Sequence, residues 1–206
     1  SYIDFRPVAE CAPVLTAIKA DSEIPKFASN VIYFSRSANS GQLESKLLHS
    51  IINRQPKRAD HYWVMHIEHL DSPDVLEYTV ETLVPDTVFF ITLRLGFRVE
   101  PKVSVYLRQI VEDMVAAGEL DLISTYPSLR SHRIPGDFRF IILNRIFSLA
   151  SNCKRGEAFL LRLHDIIRHI GISDREAMGL DTSGVTLETV PLIISGAPSR
   201  RIARIG

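Results

Sequence analysis

The chain has 206 residues, 46% of them hydrophobic, and its 24 Lys and Arg are balanced by 24 Asp and Glu. This length suits one domain that buries roughly 70% of its unfolded surface. A net charge of zero excludes nucleic-acid binding through bulk positive charge, so any electrostatic recognition has to be local. Two cysteines are too few for a disulfide framework and favour a reducing compartment, and no apolar run approaches the ~20 residues that span a bilayer.

The first part of the chain predicts helix, strand, loop and helix. Ala12 to Ala20 has apolar residues at helical spacing, and Val31 to Phe34 is a short apolar run typical of a buried strand. The polar segment Ser35 to Gly41 predicts a loop. After it, Gln42 to Asn53 carries one apolar stripe and predicts an amphipathic helix.

Three strands are predicted next, over Tyr62 to His69, Leu76 to Val84 and Val88 to Leu95. The turn signals between them are short, so we expect three antiparallel neighbours. A second helix is predicted from Pro101 to Gly118, followed by a strand at Phe138 to Leu143.

The last third predicts a helix over Glu157 to Ile170 and a strand over Val185 to Ile194. Helices separated by strands indicate an α/β fold, a single α/β sandwich around a mixed, partly antiparallel sheet. We expect a linker over residues 1–24, an α/β domain over 25–196 and a basic, flexible tail over 197–206. Because the chain begins at Ser1 without Met, we also expect a piece of a longer protein.

Catalytic signatures are absent from the sequence: it has no nucleophile elbow, phosphate loop, dinucleotide fingerprint or zinc-protease motif. His66 and Glu68 would face one side of a strand and His69 the other, which disfavours a shared metal. We therefore predict no catalytic residue, no metal site, no cofactor and no enzyme activity.

The loop after the first buried strand is one candidate binding site. In α/β sheets, ligands lie beyond the carboxyl ends of strands. Ser35, Arg36, Ser37 and Asn39 are suited to contact a phosphate or a ribose. The alternative is that these side chains only form turns and caps.

Two groups of cations are further candidates for a nucleotide or anion site. Arg54, Lys57 and Arg58 lie between the predicted amphipathic helix and the next strand. They allow three interpretations: a solvated patch, a structural set paired with acids, or an anion site. Arg94 and Arg98 form the second group. If Arg94 is covered, a carboxylate partner would account for its buried charge without a ligand.

Several blocks of the sequence, in the same order, resemble the cytosolic C-terminal domain of Kup-type bacterial potassium transporters. They run from Pro25-Lys26-Phe27-Ala28 through Pro56-Lys57-Arg58-Ala59-Asp60-His61-Tyr62-Trp63 and Arg94-Leu95-Gly96-Phe97-Arg98 to Gly136-Asp137-Phe138 and Gly179-Leu180-Asp181. No single block is specific, but their common order is.

The resemblance implies a soluble regulatory domain on the cytoplasmic side of a transporter for proton-coupled potassium uptake. The ion path would lie in the transmembrane domain of the same transporter, outside this chain. The family further implies a fold like that of universal-stress proteins and a homodimer. It also implies a regulatory nucleotide, such as cyclic di-AMP, ATP or AMP. The alternative is a stand-alone universal-stress-type nucleotide-binding module.

Overall fold

The structure is a computed structural model that describes residues 4–52, 55–143, 185–190 and 200–206. Its strands are β1 Phe5–Pro7, β2 Lys26–Ser35, β3 Gln42–Glu44, β4 Arg58–Leu70, β5 Leu76–Val84, β6 Val88–Gly96, β7 Phe138–Leu143, β8 Val185–Val190 and β9 Ala203–Arg204. Its helices are α1 Val8–Ala20, α2 Ser45–Ile52, α3 Val103–Ala116 and α4 Pro127–Ser131. None of these helices is long and apolar enough to cross a membrane.

A mixed seven-stranded sheet organises the domain, with strand order β8-β7-β2-β4-β6-β5-β9. The central strands β7, β2, β4 and β6 are parallel to one another, while β5 and β8 are antiparallel to their neighbours β6 and β7. Val31, Ile32 and Tyr33 of β2 are all fully buried, as expected for a parallel strand covered on both faces. The predicted α/β fold with a mixed, partly antiparallel sheet is thus confirmed.

The expected antiparallel arrangement of three successive strands is wrong. β4 pairs with β6 in parallel, and β5 lies on the far side of β6. The connection after β4 therefore passes over the end of β6, where the Gly96 amide donates to the Val75 carbonyl at 2.7 Å. A Cβ on Gly96 would lie 2.5 Å from the Pro73 carbonyl oxygen, so this glycine permits the crossing.

Other boundaries also differ from the sequence-based prediction. The segment predicted as a helix from Gln42 begins instead with β3, because these residues pair with β1 in a separate two-stranded ribbon. α3 begins at Val103 rather than Pro101, and its predicted apolar stripe is buried. β7 has the predicted bounds. The helix predicted over 157–170 and the strand end at 191–194 lie outside the described residues.

The core has an aromatic centre on β4 and its neighbours. Trp63 is fully buried, with its ring 4.8 Å from that of Phe89 and 6.3 Å from that of Phe138. α2 is tied to the sheet by a hydrogen bond from the Tyr33 hydroxyl to Ser50 Oγ at 3.1 Å. On another strand the Tyr78 hydroxyl donates to Asp113 of α3 at 2.8 Å.

Residues near both ends of the chain make contacts with the domain. In α1, Cys11, Leu15 and Ile18 are buried although they precede residue 25. Near the C terminus Ile202 is 2% exposed, and β9 pairs with β5. Residues 200–206 thus contact the domain through an apolar anchor and the edge of β5. The division at residues 24 and 196 stays a prediction.

Candidate functional site

The structure separates the predicted site residues onto two edges of the sheet. We call the edge where β2, β4 and β6 begin the amino edge, and the edge where they end the carboxyl edge. Arg58 lies at the amino edge opposite Lys26, whereas Ser35 lies at the carboxyl edge opposite His66. Eight residues along β4 separate the two levels, about 26 Å at 3.3 Å per residue. Lys57 and Arg58 cannot share a single small site with the Ser35 loop.

At the amino edge, the two described cations of the first group bind backbone carbonyls. Arg58 donates from Nε to the Lys19 carbonyl at 3.2 Å and from Nη1 to the Ile24 carbonyl at 3.1 Å. Lys57 donates from Nζ to the Ser50 carbonyl near the end of α2 at 2.5 Å. A cation is favourable at the C-terminal end of a helix, where carbonyls lack partners. Burial lowers the pKa of Lys57.

Of the three interpretations, these contacts favour a structural role, but with backbone carbonyls as partners and not acids. Asp60, the acid nearest in sequence, pairs with Lys26 at 2.7 Å. The side chains of this pair are only 6% and 15% exposed. Arg54 lies outside the described residues.

The loop at the carboxyl edge is closed by its own hydrogen bonds. Ser35 Oγ and the Arg36 amide donate to Glu44 Oε1 at 3.0 and 2.8 Å. The amides of Ser37 and Asn39 donate to the hydroxyls of Ser35 and Ser37 at 3.1 and 3.0 Å. Glu44 is 5% exposed, so a carboxylate already occupies the place where an anion would meet this loop. The turn-forming alternative describes these residues well.

Arg94 has carboxylate partners, as a covered arginine requires. It lies opposite Glu68 on β4 and Glu77 on β5. Its Nε donates to Glu68 at 3.1 Å and its Nη1 to Glu77 at 2.9 Å. Such a cross-strand set stabilises the sheet without a ligand.

Arg98 is different, because among the described residues no ion pair involves it. Its guanidinium carbon lies 5.7 Å from the centroid of the Phe97 ring. Phe97 is 59% exposed, and the backbone of both residues is held by the Ser72 and Pro73 carbonyls. An exposed aromatic ring beside an available guanidinium can stack a base and bind a phosphate.

A buried polar network at the amino edge was missed from sequence. His61, 7% exposed, has Nδ1 3.1 Å from Asn30 Oδ1 and Nε2 3.1 Å from Asp86 Oδ1. Asn30 Oδ1 also accepts a hydrogen bond from Trp63 Nε1 at 3.1 Å. Lys19 reaches Asp86 at 2.9 Å. Its members come from distant points of the chain, so no local motif marks them.

Burial and the hydrogen bond with Asp86 shift the pKa of His61 in opposite directions. Only the doubly protonated ring can donate to both Asn30 and Asp86. Burial has the largest effect and lowers the pKa of His61, while the hydrogen bond with Asp86 opposes this. Burial raises the pKa of Asp86, but hydrogen bonds from Lys19 and His61 outweigh it, and the net shift is downward.

No group of three His, Cys, Asp or Glu side chains that could hold a metal ion occurs in the described ranges. The described residues thus form an α/β domain in which most of the candidate polar side chains hold its own strands and helices together.

Residues 28–185 match the family described as the K+ potassium transporter C-terminal domain, and the chain belongs to that family. It is 39% identical over 202 residues to a probable potassium transport system protein Kup of Cytophaga hutchinsonii, covering 98% of this chain and 31% of that protein. Proteins of the same description from Flavobacterium johnsoniae and Clostridium perfringens are 32% and 33% identical over 205 residues, covering 100% of this chain and 31% of each. The chain thus spans about a third of these relatives. No solved structure matches it.

Replacing Arg58 with Ala tests the structural role of the amino-edge cations. We expect the free energy of unfolding to fall by about 2 kcal/mol, because hydrogen bonds from a charged donor to two backbone carbonyls are lost. Urea unfolding followed by circular dichroism measures this change. The matched control is Arg98→Ala, for which we expect a change below ~0.5 kcal/mol. Equal stabilities of the two variants would contradict the assignment.

The His61 network makes a prediction about pH. Since the folded-state pKa of His61 is below its ordinary value of 6.5, the unfolded chain binds the proton more readily. We therefore expect its contribution to stability to be complete above pH 6.5 and to decrease as the pH falls below that value. An NMR titration of the His61 ring gives the pKa directly. In Asp86→Asn it should fall further, because Asp86 raises it; a pKa above 6.5 in the unaltered chain would refute this account.

Proposed function

We propose that the chain is the cytoplasmic regulatory domain of a Kup-like transporter for proton-coupled potassium uptake, and that it is not itself an enzyme. The observation that supports this most is the family match, which runs from β2 to the start of β8. Its relatives carry about two thirds of their length outside the matched region. The proposed partner is the transmembrane part of the same protein, which would contain the ion path.

A regulatory role is supported by how the polar groups are used. Lys26 and Asp60, and Arg94 with its two glutamates, pair with each other. Groups engaged in this way stabilise a rigid unit that can transmit a signal, and they are poorly suited to proton transfer or nucleophilic attack.

For a regulatory nucleotide, such as cyclic di-AMP, we propose the carboxyl edge. Phe97 and Arg98 follow β6, and the loop from Ser35 to Asn39 follows β2, two strands away. This corresponds to a lateral distance of about 10 Å, which a dinucleotide can bridge. Because Glu44 already accepts hydrogen bonds from Ser35 and the Arg36 amide, the loop would contact a sugar and not a second phosphate. Phe97 would stack on an adenine, and Arg98 would bind a phosphate with about 1.5 to 3 kcal/mol per charge-assisted hydrogen bond. Arg94 would have to give up a carboxylate to take part.

A homodimer belongs to the same proposal. Cyclic di-AMP has two-fold symmetry, and a two-fold dimer would offer it equivalent groups from each copy. ATP and AMP lack this symmetry and would be expected to bind one copy at a time.

The transport proposal is tested in the longer protein that carries this chain. Expressed in a strain without its own potassium uptake, the complete transporter should restore growth at low potassium. A version lacking this domain should keep uptake but lose its regulation, because the ion path lies elsewhere. Immunoblots of membranes would control for the amount of protein. No potassium uptake by a well-expressed complete transporter would overturn the proposal.

The nucleotide proposal is tested on the chain alone, by thermal shift with cyclic di-AMP, ATP and AMP. A ligand at ~100 times its Kd adds about 2.7 kcal/mol and raises the melting midpoint by roughly 5 to 10 °C. We expect a shift with cyclic di-AMP, lost in Arg98→Ala and kept in the control Arg130→Ala. If none of the three nucleotides shifts the midpoint, the nucleotide proposal fails while the transport proposal stands. Loss of the shift in Arg58→Ala with Arg98→Ala unaffected would place the site at the amino edge.

A further inference from the structure

The side-chain amide of Asn30 has only one orientation that satisfies its neighbours. Its Nδ2 lies 3.2 Å from the Asp137 carbonyl, which can only accept a hydrogen bond. Its Oδ1 lies 3.1 Å from Trp63 Nε1, which can only donate one. Reversing the amide would place two acceptors against each other and two donors against each other. Asn30 Oδ1 is therefore an acceptor, and a polar group that contacts it has to supply a proton.

This orientation determines which nitrogen of His61 carries a proton. Nδ1 of the ring lies 3.1 Å from Asn30 Oδ1, so it is a donor in the neutral ring as well as in the charged ring. A neutral ring has a single N–H group, and Asn30 holds that hydrogen on Nδ1. Nε2 is thus the nitrogen that gains and loses a proton.

The contact between His61 and Asp86 depends on that proton. Nε2 lies 3.1 Å from Asp86 Oδ1. A protonated Nε2 donates a charge-assisted hydrogen bond to the carboxylate, whereas a neutral Nε2 presents a lone pair to an oxygen that also only accepts. The neutral ring therefore has no hydrogen bond to offer Asp86. The side chain of Asp86 is 77% exposed, so it can turn into solvent when the proton leaves.

Asp86 also connects the ring to α1. Its Oδ2 pairs with Lys19 Nζ at 2.9 Å, and its carbonyl oxygen accepts from the same ammonium group. Lys19 lies in the last turn of α1, and Asp86 lies between β5 and β6. A proton on Nε2 of His61 is therefore linked to the end of this helix through two side-chain contacts.

The groups that surround the ring shift its pKa in both directions. Burial has the largest effect and lowers the pKa of His61. Of the charged groups in the described part of the chain, Asp86 raises this pKa, Lys19 of α1 lowers it and Asp60 of β4 raises it. β6 contributes the uncharged ring of Phe89, 5.8 Å away between centroids, and β2 contributes the amide described above. The net shift is downward from 6.5, so the ring gains its second proton on the acidic side of that value.

We propose that His61, Asp86 and Lys19 form a pH-dependent latch: as the pH falls, Nε2 of His61 gains a proton from solvent and binds Asp86, which fastens the end of α1 to β4. As the pH rises, this contact opens while the bond to Asn30 stays. The latch responds to a proton and is independent of the nucleotide proposal. In the proposed transporter, α1 would carry this response toward the transmembrane part, and that step alone rests on the proposed function.

Nitrogen-15 NMR of the 206-residue chain, labelled at histidine, tests where the protons lie. At about pH 8 we expect the neutral His61 ring to carry its hydrogen on Nδ1, and toward about pH 5 we expect Nε2 to be protonated as well. A neutral ring with its hydrogen on Nε2 overturns the proposal. So does a ring whose protonation does not change over this range.

The response of α1 is followed in the same titration through the backbone amide shifts of residues 17–20. We expect these shifts to change with the midpoint of the His61 ring. In Lys19→Met the ring should still titrate, at a higher pH because Lys19 lowers its pKa, while the changes in α1 should become several-fold smaller. Amides that do not respond in the unaltered chain, or that respond equally in Lys19→Met, refute the latch.

Asp86→Asn separates the contact from the proton. An asparagine can donate its own N–H to a neutral Nε2, so the contact no longer requires protonation. Asp86 has a φ of 50°, a conformation that Asn adopts readily, and the fold should be kept. We expect α1 to stop following the ring in this variant and to follow it normally in Asp71→Asn, a matched control at an exposed position. An unchanged response of α1 in Asp86→Asn would contradict the proposal.

Discussion

The buried side-chain amide of Asn30 fixes the register of the central strands. Its oxygen accepts a hydrogen bond from Trp63 of β4, and its nitrogen donates to the Asp137 carbonyl just before β7 at 3.2 Å. A slip of either strand by one residue would leave these buried groups without partners, at about 1 to 3 kcal/mol each. Because β7, β2 and β4 depend on this amide, so do the positions of both edges of the parallel sheet.

The charged side chains at the two edges of the sheet have different partners. At the amino edge, Lys57 and Arg58 fasten the ends of α2 and α1 through carbonyls. At the carboxyl edge, Glu44 closes the loop after β2, and Arg94 is shared between glutamates. Most charges therefore serve the fold. Arg98 beside the exposed Phe97 is the feature best placed to meet a ligand, because its binding would break no ion pair within the described part of the chain.

Sequence patterns predicted the strands and helices that have a local hydrophobic periodicity. They did not predict the pairing of strands that are distant in sequence. β2 and β7 were found because each is a continuous apolar run, and α3 because its apolar residues recur at helical spacing. The ribbon of β1 and β3 was missed, since three-residue strands have no usable period. Strand order was wrong because hydropathy does not show that Gly96 lets the preceding connection cross β6. The loop and the two groups of cations stayed separate, competing candidates, because sequence distance does not show at which end of a parallel strand a residue lies.

Residues 200–206 also contact distant parts of the chain, which local sequence patterns do not show. The groove between β5 and α3 both stabilises and destabilises their binding. Burying Ile202 contributes roughly 1.5 to 3 kcal/mol. Against this, Gln109 is buried with Nε2 lacking a hydrogen-bond partner within the described part of the chain, a cost of about 1 to 3 kcal/mol. Arg201 is mostly exposed, so its pair with Asp113 adds little, whereas Arg204 and Glu119 are each about a third exposed and form two hydrogen bonds. The pairing with β5 and the hydrogen bond from the Ile202 amide to Gln109 Oε1 add to the apolar contribution, so residues 200–206 are held by backbone and side chains together.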